Sequence, residues 1–161
     1  MNTVRMAQTT KGIGRAVSAS SLADIAEAVR AVFMLFGCSL ALRWIPFRRI
    51  HAWHNQHNHC AIAVPADHAK HVARIVRAIR RASRVVGISA CLSQALTAQM
   101  LLRWVGVPSR VWFGVNPSVD SQFAAHAWLE WNGQTVLGGW VQATYAPLFS
   151  LDVAPHIQSE R

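Results

Sequence analysis

At 161 residues and 52% apolar content, the chain has the size of one domain and enough hydrophobic side chains to bury a core, which excludes an intrinsically disordered protein. Sixteen Lys and Arg against seven Asp and Glu give a formal charge of +9. That charge favours an acidic partner (a peptide, a protein face or a nucleic acid) through a salt-sensitive attraction that does not choose among them. Three cysteines, Cys38, Cys60 and Cys91, are too few and odd in number for a disulfide-stapled secreted scaffold, and the first 20 residues hold no apolar stretch of signal-peptide type. A cytoplasmic location with free thiols is the expectation.

Residues 1–19 show no apolar periodicity and are expected to form a disordered tail, followed by one domain over 20–161. Ser20 and Ser21 are N-cap candidates, with Asp24 and Glu27 in the turns where negative charge suits the helix dipole. Leu22, Ile25, Val29, Val32, Phe33, Phe36 and Leu40 follow at helical steps, predicting a helix to about Trp44 that Pro46 stops. Its run Ala31–Leu42 is apolar nearly all round, which predicts burial on more than one side. Twelve residues fall short of the roughly 20 needed to span a bilayer, so no membrane insertion is expected.

Residues 48–65 are polar, rich in histidine and without helical or alternating order. His51, His54, His57, His59 and Cys60 are residue types that bind zinc, but their spacing matches no finger or metalloprotease pattern. A loop of solvated histidines is expected, with no metal and no cofactor. Pro65 and Asp67 open a second helix to about Val86, with Val72, Ile75, Val76 and Ile79 on its apolar side. Lys70, Arg74, Arg77, Arg81 and Arg84 form a basic stripe opposite, either a solvated face or a dock for an acidic peptide. No helix-turn-helix or aromatic-basic motif points to nucleic acid.

A third helix starts at Ser89–Cys91 and ends at Gly106-Val107-Pro108. The period then changes to two. Arg110–Val115 and Phe123–Trp131 read as strands, Asn132-Gly133 as a hairpin turn, and Gln134–Leu137 as the returning strand. Beyond Gly138 the pattern assigns no element. The domain thus divides into a helical part, 20–86, and a core, 87–148, that carries the chemistry.

Cys91 stands at a helix start, where unpaired amides and the helix dipole favour a thiolate and can hold an oxyanion. His126 shares a strand face with Trp128 and Glu130 and is the candidate base for Cys91. On the residues alone, a small core cysteine and a hydrogen-bonded core histidine remain open. Trp112, Trp128 and Trp140 are candidate substrate contacts.

The run from Cys91-Leu92 through Leu101-Leu102-Arg103 and Gly106-Val107, then Val111–Val115, His126-Ala127-Trp128-Leu129-Glu130 and Asn132-Gly133, resembles the leader peptidases of lasso-peptide biosynthesis. The resemblance is concentrated in residues 87–140. It implies an α+β cysteine-protease fold of the transglutaminase and papain kind, helices on a small antiparallel sheet with the nucleophile at a helix N-terminus. It further implies Cys91 and His126 as catalytic pair, and hydrolysis of one bond between leader and core of a ribosomally made precursor peptide. The implied partners are a separate leader-binding protein, since no such module precedes the first helix, and an ATP-dependent macrolactam synthetase. The family's third catalytic residue is an aspartate whose place falls at Gly138. Asp120, Gln142, Asp152 or a backbone carbonyl are the candidates to orient His126 instead. The same Cys/His pair also suits acyl transfer to an amine, and the absent aspartate suits an inactive peptide-binding module.

Overall fold

The computed structural model describes residues 7–57, 59, 67–88, 90–116, 124–139 and 145–154, with residues 7–21 and Asn55 described by backbone alone. Four helices, α1 (Ala7–Trp44), α2 (Phe47–Gln56), α3 (His68–Val86) and α4 (Cys91–Trp104), precede four strands, β1 (Ser109–Asn116), β2 (Ala124–Trp131), β3 (Gln134–Leu137) and β4 (Ala146–Val153). The strands form one antiparallel sheet in the order β3-β2-β1-β4. This is the expected α+β architecture.

α4 occupies the middle layer. It packs on β2 and β1 with one side and against α1 and α3 with the other. Its sequence explains the position: Ala95, Leu96, Ala98, Leu101 and Leu102 leave no polar face, and all are buried. Gln99, buried among them, satisfies its amide by donating to the carbonyls of Ser109 (3.3 Å) and Leu151 (2.7 Å) and by bonding His54 Nε2 (3.0 Å).

α3 is built as its periodicity predicts. The Asp67 side chain accepts from Lys70 N at its start, and Gly87 closes it in the left-handed conformation (φ 70°). Val72, Ile75, Val76 and Ile79 are buried, and the basic stripe faces outward. Arg74 reaches Asp24 of α1 at 3.2 Å. The Asn132-Gly133 hairpin has both residues at positive φ, 48° and 72°, as a two-residue turn of this type requires.

The structure differs from several of these expectations. The helix expected from Ser20 begins at Ala7, so Ser20 lies inside it rather than at its N-cap. Ala, Gln, Lys and Arg extend an existing helix at little cost, although none provides a periodic signal. Residues 48–56 of the histidine-rich segment lie in α2, where Phe47, Ile50 and His54 repeat at helical spacing, a signal hidden when histidine is counted as polar; residues 58 and 60–65 lie outside the described residues. The apolar half of α1 is not buried on several sides. Ala31 and Leu35 are buried, while Phe33, Phe36, Leu40 and Trp44 are exposed. The apolar helical stretch also runs over 23 residues, Leu22–Trp44, within which an 18-residue window has a mean hydropathy of 1.8, so length alone does not exclude a membrane span. Finally, β4 lies in the stretch left unassigned and adds to β1 with a register shift at Phe113/Gly114.

His54 makes stability pH-dependent. Burial holds its pKa below the ordinary 6.5, partly offset by the bond to Gln99. Its stabilising contribution is therefore complete above pH 6.5 and is lost as pH falls through the lower folded value. The urea midpoint is expected to drop between pH 7.5 and 5, and His54→Leu should flatten that slope; an equal slope in both proteins would remove His54 as its source.

Candidate active site

Cys91 is the first residue of α4 and is half-buried. The preceding Ala90 is extended (φ −60°, ψ 114°), no side chain caps the helix, and no acidic residue stands in its first turn. The first-turn amides are thus not taken by a side-chain cap. Gln94, one turn on, donates to the Ile88 carbonyl at 3.2 Å and pins the chain that leads into Cys91.

His126 lies on β2, paired with Gly114 of β1. Its ring is stacked on Trp128 (6.2 Å between centroids) and tilted on Tyr145 (5.1 Å). Its Nε2 lies 2.7 Å from the carbonyl oxygen of Gly138. A carbonyl only accepts, so Nε2 carries the proton and the neutral ring keeps its lone pair on Nδ1.

The chain path sets Cys91 and His126 at a similar level along the sheet but on opposite faces of it. Gln99 bonds Ser109 at the start of β1, so α4 runs back along that strand. The eight residues from Gln99 to Cys91 cover roughly 12 Å of helix. That rise carries Cys91 toward the level of Phe113 and Gly114, roughly 13–16 Å along β1, and Gly114 is the partner of His126. Ala127 and Leu129 pack into the helical core, whereas His126 alternates onto the other face, half-buried at the strand's end. Among the described residues no hydrogen bond joins Cys91 to His126.

At the position that the resemblance gives to an aspartate, the Gly138 carbonyl bonds the His126 ring. Gly138 has φ +81°, and a Cβ there would stand 2.9 Å from the Ala127 oxygen and 3.1 Å from Trp128 Cα. The site therefore has no room for the carboxylate. Asp152 does not orient His126 either: it pairs with Arg110 at the far end of β1, four residues from Gly114 and roughly 13 Å along the strand. Asp120, Gln142 and Trp140 lie outside the described residues. Tyr145, against the imidazole, was not singled out by spacing or pattern, since it sits in the unassigned stretch.

The other candidates separate clearly. Trp128 is 2% exposed, its ring packed over Gly114, so it presents no surface to a substrate. Trp112 donates Nε1 to Glu130 at 3.1 Å and lies under the Arg110 guanidinium, which makes it part of a cross-strand ladder. Burial pushes the Cys38 thiol above its ordinary value, against a thiolate there. The described histidines of 51–59 have unlike surroundings: His51 stands against Phe47 and Phe149, His54 bonds Gln99, and the His57 ring stacks on Trp53 with Nδ1 2.9 Å from that residue's carbonyl. Among the described residues no three His, Cys, Asp or Glu side chains gather to hold a metal ion. Cys60 lies outside them.

A thiol opening a helix against an antiparallel sheet, with an oriented histidine on that sheet, defines the class of cysteine-dependent acyl-transfer domains. The transglutaminase-like superfamily model matches residues 32–150, most of the chain, and the protein belongs to that superfamily. Comparisons with curated proteins and with solved structures gave no match.

Gly138→Asp, which would restore the family residue, is expected to destabilise the fold by at least about 1–2 kcal/mol, the cost of a side chain in the left-handed region before any clash. Chemical unfolding measures this; an unchanged or raised midpoint would show that the 138 backbone can relax to accept a carboxylate.

Proposed function

We propose that the protein is a cysteine peptidase that removes the leader from a ribosomally made precursor during lasso-peptide maturation, with Cys91 as nucleophile and His126 as acid and base. The observation that supports this reading is the bond from His126 Nε2–H to the Gly138 carbonyl, which orients the ring and leaves the lone pair on Nδ1 to accept a proton. The pairing requires the imidazole to reach the thiol around the end of the sheet when substrate binds, since His126 alternates onto the face away from α4.

Nδ1 takes the Cys91 proton, and the thiolate attacks the scissile carbonyl carbon. The oxyanion accepts from amides of the uncapped first turn of α4. The imidazolium then returns its proton to the leaving amine, and the C–N bond breaks to leave a thioester on Cys91. Water, deprotonated by His126, attacks the thioester and releases the leader carboxylate and the free thiol. An amine in place of water would give transfer, an outcome equally compatible with superfamily membership. The macrolactam synthetase and the leader-binding protein are the proposed partners.

Cys91→Ser and His126→Ala should each lose at least about a hundredfold in cleavage of precursor presented with its leader-binding protein, while Cys38→Ala and Cys60→Ala retain it. Mass spectrometry distinguishes hydrolysed products from an amine adduct, and a folded Cys91→Ser variant that cleaves at the wild-type rate ends the assignment.

The basic stripe is the proposed contact for an acidic leader or its carrier. Arg74 is committed to Asp24 and Lys70 to Asp67, whereas Arg77, Arg81 and Arg84 are exposed. Reversing these three to Glu should weaken leader binding and lower its salt dependence without loss of fold. Equal affinity at low salt would make the stripe a solvated face.

A further inference from the structure

α1 is apolar on two opposite faces, and the domain covers only one. Ala31 and Leu35 are buried, and Cys38 and Leu42 pack against the same core. Asp24 lies on that side and is paired with Arg74. Across the helix, Leu22, Ile25, Val29, Phe33, Phe36 and Leu40 recur at steps of three and four and are exposed, Phe33 at 73%. The row ends at Trp44, 78% exposed, with Ile45 and Trp53 exposed beyond it. It is about 33 Å long at helical rise. A patch of this length is not the scattered exposure normal for a monomer.

The charges beside the row are basic. Arg30 and Arg43 flank it on α1, and Arg48 and Arg49 follow the Pro46 bend, all exposed. The acidic residues of the helix are accounted for elsewhere, Asp24 with Arg74 and Glu27 with Arg30. An apolar stripe bordered by arginines and ending in tryptophans matches the chemistry of a lipid interface, where aromatic rings sit at headgroup level and cations meet anionic headgroups.

We propose that this face of α1 docks flat on an anionic lipid surface, independently of the peptidase reading. A second copy is a poorer occupant, because two faces bordered by arginines on chains of charge +9 repel. A transmembrane crossing is also a poorer state. It would strip α1 from α3 and α4, uncover Ala31 and Leu35, and carry Asp24 and Glu27 into hydrocarbon.

The test is co-sedimentation of the full chain with vesicles of phosphatidylcholine alone and of phosphatidylcholine with phosphatidylglycerol. Wild type should pellet with the anionic vesicles, weakly with the neutral ones, and be released by alkaline carbonate. Phe36→Gln with Leu40→Gln, both at exposed positions, should weaken binding about tenfold or more while leaving the circular dichroism spectrum and thermal midpoint unchanged. The proposal is overturned if wild type ignores both vesicles or if the double variant binds equally. A carbonate-resistant pellet would replace docking by a span. A dimer in light scattering that the double variant abolishes, without vesicle binding, would assign the face to a second copy.

Discussion

The fold turns on one buried amide. Gln99 is buried in the central helix, and its two ends are satisfied by β1, β4 and α2 at once. A buried amide without partners would cost several kcal/mol, so the sheet, the second helix and α4 are held in one relative position or none. That position orients the N-terminus of α4. The N-terminal end of the helix is therefore set by a hydrogen-bonded plug two turns away from it, and the bond to Gln99 partly offsets the burial that holds the His54 pKa down.

Much of this was legible where local pattern and burial agree. α3, α4, the β1–β2–β3 meander and the Asn132-Gly133 turn follow from apolar period and turn chemistry, because each has one wet and one dry side or none wet at all. Cys91 and His126 were legible as residue types at a helix start and on a strand. Three features were not. α2 hides its inward face behind a histidine that is apolar in use, since His54 is buried and neutral. β4 carries exposed Leu148 and Phe149 beside buried Leu151 and Val153, which blurs the alternation. The group that orients His126 is main chain, and main chain has no letter in a sequence.

α1 shows a different limit. Hydrophobicity all round a helix predicts burial all round, the ordinary solution in water. Here the helix presents two apolar faces of different fate, one closed by α3 and α4 and one open. Composition reports the driving force for leaving water and is silent on what replaces it. Only the surrounding elements show which face has been served inside the chain.

The Gly138 carbonyl changes what natural variation can do at this site. An aspartate in that place is one codon change from loss, whereas a peptide oxygen belongs to every residue and no substitution deletes it. What can vary is the path of the chain that aims it, through the left-handed bend at residue 138 and its fit against Ala127 and Trp128. Selection on the histidine's support would therefore register as a retained glycine rather than as a retained acid, and a side-chain scan of the acids would pass over it. Replacing the backbone acceptor itself, by a thioamide for instance, is the change that would reach it.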